Sequence, residues 1–206
     1  MGLEWIGKAL NRARVLRWRL VLALRGGRLG RRCSIAPHVR IESGRGRPIV
    51  LGDGVRLLRG VVLSTAAGGR IALEDRVYIG EYGTVRSAAE VRVARDTIIA
   101  PHVSIVDFDR RPGAPPPDAF AVQSAIRNPQ SAIEAAPVRI GRDVWFGAGV
   151  RVLGGVTVGD QAVLGAGAVA AQDIPERAVA VGAPARVVQY RGEARGRTPP
   201  TENPAP

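Results

Sequence analysis

The sequence predicts an all-β fold, a parallel β-helix of about six coils in the shape of a triangular prism, preceded by one helix. From Ile140 to Leu164 an aliphatic or aromatic residue recurs every six positions. The string Ile-Ala-Pro-His-Val also occurs twice, at 35–39 and at 99–103. A period of six is typical of one short strand plus one corner, and three such repeats close a coil of about 18 residues. The same spacing recurs in three earlier triplets, Leu51/Leu57/Leu63, Leu73/Ile79/Val85 and Val93/Ile99/Ile105.

Residues 1–32 form the first segment, which we expect to be an amphipathic helix. Its uncharged apolar run is too short for a spanning helix. It does not resemble a signal peptide either, because Arg17 and Arg19 interrupt the run and no clear small-residue cleavage site follows. Two interpretations stand side by side: the helix caps the domain behind it, or it lies on an anionic membrane with Trp5 and Trp18 at the headgroup level. The helical spacing is carried by Leu3, Ile6, Leu10, Ala13, Leu16, Leu20 and Leu24.

Residues 33–190 form the predicted β-helical domain. In its strands alternate side chains point inward, so Val144 and Phe146 face the core and Trp145 faces out. A glycine such as Gly147 follows most of the large residues, where a Cβ would clash at the corner. Counting the repeats places five outward residues on one prism face, which we expect to be buried against a partner: Arg56, Tyr78, Ile98, Trp145 and Val163.

The composition excludes several classes of site. The lone Cys33 cannot form an internal disulfide or a cysteine zinc site, and it indicates a reducing compartment. His38 and His102 are the only two histidines, so a metal centre of three imidazoles is excluded and we predict no metal. The net charge is +12, but the arginines are spread along the chain without a recognised module, and we predict no nucleic-acid partner.

Three strings resemble the hexapeptide-repeat acyltransferases, in particular their galactoside and maltose O-acetyltransferase branch: Asp-Val-Trp-Phe-Gly-Ala-Gly at 143–149, Leu-Gly-Ala-Gly at 164–167 and Gly-Ala-Pro-Ala-Arg at 182–186. The resemblance implies a left-handed β-helix, a homotrimer, and acetyl-CoA as acyl donor in a groove between adjacent prisms. The family's CoA-contacting positions correspond here to Ala148, Ala166, Ala171, Gln172 and Arg186. Of these, Arg186 is suited to pair with the nucleotide phosphates of CoA.

The chain departs from the resemblance at the general base. The family's catalytic histidine falls in a segment that here reads Asp-Phe-Asp-Arg-Arg-Pro, at 107–112, so its position is Arg110 or Arg111. Arginine stays protonated at physiological pH and cannot accept the acceptor's proton. A second departure is Gly80, where sugar acetyltransferases usually have an acceptor-binding asparagine.

Two other kinds of residue are candidates for the base. His102 lies at a corner of the coil that leads into this segment. Asp107 and Asp109 are nearer to the lost histidine, although neighbouring arginines would lower the pKa of an aspartate and make it a poorer base.

Residues 107–137 interrupt the repeats with six prolines, and we expect an excursion from the prism. The resemblance implies that it reaches a neighbouring subunit and borders the acceptor site, where Arg110, Arg111 and Arg127 would grip an anionic acceptor. Residues 191–206 are rich in proline and almost without apolar residues, which predicts a disordered tail.

The predicted function is CoA-dependent O-acyl transfer, as an O-acetyltransferase, to a hydroxyl of a sugar or envelope polysaccharide. We expect a cytoplasmic location, which is compatible with peripheral contact of residues 1–25 with the inner membrane. The alternative function is a catalytically impaired paralogue, a trimer that binds CoA or a glycan or acts as a scaffold, because the catalytic histidine is replaced.

Overall fold

The computed structural model describes residues 2–192 apart from 45, 47, 67 and 111–132. Within them α1 (Gly2–Leu24) is followed by three parallel sheets that form the faces of a β-helix. The predicted fold class is confirmed. The first strand begins at Arg28, five residues before the start expected for the β-helical domain.

The chain visits the three sheets in turn, one short strand on each. Sheet 1 contains β1 (Arg28–Leu29), β4 (Ile49–Leu51), β7 (Arg70–Leu73), β10 (Glu90–Val93), β15 (Val138–Ile140) and β18 (Thr157–Val158). Sheet 2 contains β2 (Ser34–Ile35), β5 (Arg56–Leu57), β8 (Tyr78–Ile79), β11 (Ile98–Ile99), β16 (Trp145–Phe146), β19 (Val163–Leu164), β21 (Ala178–Val181) and the antiparallel β22 (Arg186–Tyr190). Sheet 3 contains β3 (Arg40–Glu42), β6 (Val62–Thr65), β9 (Thr84–Ser87), β12 (Ser104–Val106), β17 (Arg151–Val152) and β20 (Val169–Ala170).

The core fills the prism with the inward residues of all three sheets. On sheet 2, Ile99 pairs with Phe146 and Phe146 with Leu164, and all three side chains are buried. Since β11 and β16 lie on either side of residues 107–137, the repeat keeps its phase across that segment. The coils are not uniform: Arg56 pairs with Tyr78 and Tyr78 with Ile98, so these coils take 22 and 20 residues.

Two positions at each corner have different requirements: one allows the next coil to approach closely, and the other adopts the left-handed turn. At Gly147 a Cβ would lie 2.5 Å from the backbone nitrogen of Ala166 in the next coil, so this position requires glycine for close approach. The left-handed corner residue two positions later accepts larger side chains, as at Tyr82 (φ 56°) and His102 (φ 60°). These side chains project outward from the edge of the prism.

Helix α1 lies across the N-terminal end of the prism. Leu22 is buried, and Val15 and Trp18 pack against the core. Arg14 Nε donates to the carbonyl of Ile35 and Arg19 Nη2 to that of Gly30, each at 2.8 Å. The helix therefore covers the edge of the first coil, which would otherwise be open to pairing with another chain. The Trp18 side chain packs, partly buried, against the core, and the side chain of Trp5 lies outside the described residues.

The excursion begins and ends in a short antiparallel pair, β13 (Phe108–Arg110) with β14 (Ile133–Ala135). Residues 111–132 lie outside the described part of the chain, and so do residues 193–206 of the predicted tail. Among the described residues, no helix has both the length and the apolar character needed to cross a membrane.

Candidate functional site

The edge between sheets 2 and 3, the 2–3 edge, is a stack of equivalent corners. The backbone N–H of His102 donates to the carbonyl of Glu81, that of Gly149 to Pro101 and that of Gly167 to Ala148, at 2.9, 3.0 and 2.8 Å. Residues 102, 149 and 167 therefore follow one another directly along the edge.

His102 is exposed and its imidazole stacks on the ring of Tyr82, one corner nearer the N-terminus. The ring centroids are 5.4 Å apart and the planes differ by 10°. Tyr82 in turn lies over Gly60, where an added Cβ would be 2.5 Å from the ring. The missing side chain at Gly60 seats Tyr82, and Tyr82 supports His102. Tyr82 was not predicted from the sequence, although it precedes His102 by one coil of 20 residues.

On the other side of His102 the edge is bare. An added Cβ at Gly149 or Gly167 would meet no further atom within 4 Å, and Ala148 and Ala166 beside them are exposed. The N–H groups of these two alanines donate no hydrogen bond within the described part of the chain. A linear ligand can thus approach the main chain here and end against the imidazole.

Beyond Gly167, the series of bare corners ends near Arg186. Val169 N–H donates to the carbonyl of Gly182 at 2.9 Å, and Ala185 N–H donates to Val169 at 2.8 Å, so the turn before Arg186 forms the next level. Arg186 is exposed. Three steps of about 4.8 Å place this level about 15 Å from that of His102.

The remaining predicted site residues lie at the other end of the sheet 3 strands. Ala171 and Gln172 follow β20 and are exposed. Asp109, also exposed, lies in β13 opposite Glu134. Within the single chain, the structure thus brings His102 together with Ala148 and Ala166, and it separates them from Asp109, Ala171 and Gln172.

Asp107 has a structural role. Its carboxylate is fully buried and accepts hydrogen bonds from Ser87 Oγ at 2.6 Å and from the N–H groups of Ala88 and Ala89 at 2.7 and 3.0 Å. Its carbonyl accepts from Ala136 N–H at 2.7 Å. A buried carboxylate held in this way fixes both ends of the excursion and is withheld from an acceptor. Ser87 was not predicted from the sequence, because its spacing is that of any other strand end.

The two departures from the family pattern have different outcomes. A Cβ at Gly80 would lie 2.6 Å from the backbone nitrogen of Pro101, so the coil has no room for an asparagine without a shift. Arg110 is part of β13, but its side chain lies outside the described residues, as do Arg111 and Arg127.

The predicted apolar face is confirmed in its placement. The paired register of sheet 2 sets five outward residues in one row, and the side chains of Ile98 and Trp145 are 49% and 56% exposed. The row consists of Arg56, Tyr78, Ile98, Trp145 and Val163.

The edge between sheets 1 and 2 has an opposite character, since it is a ladder of charges. Arg76 binds Asp96 through two hydrogen bonds of 2.6 and 2.7 Å, and this contact lowers the pKa of the carboxyl below its ordinary value. The N–H of Arg31 similarly lowers the pKa of Asp53. An open groove of about 1020 Å³ on this edge is lined by such pairs, away from His102.

Comparison with known proteins places the chain in a family. Residues 137–171 match the model of the bacterial transferase hexapeptide (six repeats). A protein of Escherichia coli named as a lipopolysaccharide biosynthesis O-acetyl transferase, WbbJ, is 32% identical over 143 residues, which are 66% of this chain and 69% of that protein. A Mycobacterium tuberculosis protein named as an acetyltransferase is 34% identical over 123 residues, 60% of this chain but only 38% of its own length.

Solved structures of low identity share the fold. AntD, an N-acyltransferase from Bacillus cereus in complex with dTDP and 3-hydroxybutyryl-CoA, superposes with a TM-score of 0.70 at 16% identity over 85% of this chain and 88% of its own. A hexapeptide-repeat acetyltransferase of Vibrio cholerae, complexed with acetyl-CoA, gives 0.56 at 22% identity over 86% and 77%. With its six-residue period, its three parallel sheets and its similarity to WbbJ, the chain belongs to the hexapeptide-repeat transferase family.

Proposed function

We propose that the protein is a CoA-dependent O-acyltransferase, an O-acetyltransferase, that acts on a hydroxyl of a sugar or envelope polysaccharide. The observation that carries the proposal is the 2–3 edge, where two bare glycine corners lead to an exposed imidazole. Relatives named as acetyltransferases support the reaction class, and the one named for lipopolysaccharide biosynthesis supports a glycan acceptor.

The edge fits the acyl donor in three respects. The flexible arm of acetyl-CoA can lie along Gly149 and Gly167, where no side chain obstructs it, with the N–H groups of Ala148 and Ala166 free to bond its amides. Arg186 at the far end pairs with its phosphates. This placement points the thioester toward His102.

His102 would then serve as general base. Its unprotonated ring nitrogen accepts the proton as the acceptor oxygen attacks the thioester carbon, and the tetrahedral intermediate collapses with loss of the CoA thiolate. Tyr82 keeps the imidazole beside the donor instead of free in solvent. In a homotrimer, Asp109 of an adjacent prism is the competing base, and Ala171 and Gln172 would complete the donor groove.

A second candidate function is that of an impaired paralogue that binds CoA or a glycan. The observation that favours it is an arginine wherever the family's histidine is aligned, at position 110 or 111. Restoring the histidine with Arg111→His separates the two functions, because a gain of activity from an inactive protein indicates a disabled enzyme.

The decisive experiment replaces His102 with asparagine. Asparagine tolerates the left-handed corner but cannot act as a base near neutral pH. His38→Asn is the matched control, because His38 occupies the same corner of the first coil with φ 61°. Transfer from acetyl-CoA to a panel of neutral and acidic sugars should fall by about 10²- to 10⁴-fold in His102→Asn.

The affinity for CoA should stay unchanged in that variant, which calorimetric titration measures. His38→Asn should transfer as the wild type does. If His102→Asn keeps its rate while Asp109→Asn loses it, the base is Asp109. Preference for neutral sugars would contradict the anionic acceptor that we expect from Arg110, Arg111 and Arg127.

We further propose a cytoplasmic homotrimer whose apolar row on sheet 2 is covered by a neighbour, as its exposed Ile98 and Trp145 suggest. Peripheral contact of residues 1–25 with the inner membrane is part of this proposal.

A further inference from the structure

Helix α1 has two apolar faces, of which the prism covers one. Val15, Trp18 and Leu22 pack against the core. Four leucines on the other side are between 54% and 74% exposed and are called the leucine face: Leu10, Leu16, Leu20 and Leu24. At about 100° per residue these four fall within an arc of about 120°, on the side opposite Leu22.

The surroundings of the leucine face are basic. Residues 9–25 contain five arginines and no acidic residue. Arg14, Arg19 and Arg25 donate to carbonyls of the first coils, which leaves Arg12 and Arg17 exposed beside the leucines. The guanidinium of Arg17 lies 5.4 Å from the ring centroid of Trp18, so its aliphatic stem follows the helix surface.

We propose that the leucine face docks on an anionic lipid bilayer, with α1 lying in the plane of the headgroups and the prism behind it. Apolar side chains flanked by cations match the acyl and phosphate layers of such a surface. A second copy of the chain fits poorly, because it would bring two sets of exposed arginines together. This inference rests on the peripheral membrane contact proposed above, but it does not depend on acyl transfer.

The proposed contact is made by the leucines and not by Trp18. Trp18 is already packed against the core, so the leucines supply the apolar contact area. Docking therefore leaves the hydrogen bonds of Arg14 and Arg19 to the first coil in place. The helix serves both as cap and as membrane anchor, one face for each.

Cosedimentation of the full chain with vesicles tests the proposal. The wild type should bind vesicles of phosphatidylcholine mixed with phosphatidylglycerol, should not bind phosphatidylcholine alone, and should be released by salt. Leu16→Gln with Leu20→Gln should lower the affinity by about tenfold or more, since two leucines no longer enter the interface. The control pair, Leu153→Gln with Val188→Gln, removes exposed apolar side chains from the prism and should bind as the wild type does.

A charge variant gives an independent measurement. Arg12→Gln with Arg17→Gln keeps the leucines and should lower the affinity for anionic vesicles by about tenfold at low salt. The proposal is overturned if the wild type ignores anionic vesicles, binds both compositions equally, or binds undiminished after the leucine substitutions. It is also overturned if those substitutions change only the oligomeric state without lipid, which would assign the face to a second copy.

Discussion

Replacing Asp107 with alanine should destabilise the protein by about 3–5 kcal/mol. The Asp107 carboxylate is completely buried and accepts three hydrogen bonds, from the hydroxyl of Ser87 and from the N–H groups of Ala88 and Ala89. The substitution removes the acceptor and leaves all three donors, of which Ser87 is itself fully buried.

The magnitude follows from those three contacts. A hydrogen bond to a charged group stabilises by about 1.5–3 kcal/mol, and a buried donor left without a partner costs about 1–3 kcal/mol. Three such contacts would sum to about 4.5–9 kcal/mol. The costly burial of the charge disappears at the same time, and water can enter the space of the lost carboxyl group, so the net loss is about 3–5 kcal/mol. Asp107→Asn keeps one acceptor oxygen and should lose less.

Urea unfolding measures the global effect, and amide exchange measures the local one. Because a β-helix can unfold coil by coil, exchange at the Ala88 and Ala89 amides should accelerate even where the midpoint moves little. Asp109→Ala is the control, since the exposed Asp109 side chain should contribute at most about 1 kcal/mol. Equal stability of the Asp107 and Asp109 variants, with wild-type exchange at both amides, would refute the reasoning.

Three further predictions concern the surface. Ala166→Arg should fill the 2–3 edge and lower the affinity for CoA by at least about tenfold, whereas Val50→Arg on sheet 1 should leave that affinity unchanged. Equal CoA affinities of the two variants would show that CoA does not bind at this edge. Trp145→Arg should weaken oligomerisation or CoA binding, and a variant that matches the wild type in sedimentation and titration would show that its face is free. Because Arg76 lowers the pKa of Asp96, their pair stabilises the fold above about pH 4 and this is lost as the pH falls through the lowered pKa. Asp96→Asn should therefore slightly reduce the acid sensitivity of unfolding, since so exposed a pair contributes little, and an unchanged profile would contradict this.

The fold could be predicted because each six-residue repeat has the same pattern of inward and corner residues. An inward residue every sixth position fixes strand, corner and register together, and that is why Ile99 pairs with Phe146 although the proline-rich segment separates them. The outward row that contains Trp145 follows from the same count.

Single side chains at the corners escaped prediction where the outcome depends on contacts between coils. The spacing gives no sign that Asp107 turns inward, because its direction is decided by donors one coil earlier, at Ser87 and Ala88. The same holds for Trp18, since a helical period shows that α1 has apolar positions but not which of its two apolar faces meets the prism.

The position of His102 lies between these cases. Three residues after the paired Ile99 and Phe146 come His102 and Gly149, so the repeat itself places the imidazole next to a bare corner. The repeat spacing does not predict that the His102 imidazole is supported, because this requires Tyr82 to pack over the glycine at position 60. The regular scaffold thus fixes the corner at which His102 lies, and the irregular stack on Tyr82 decides how its imidazole is oriented.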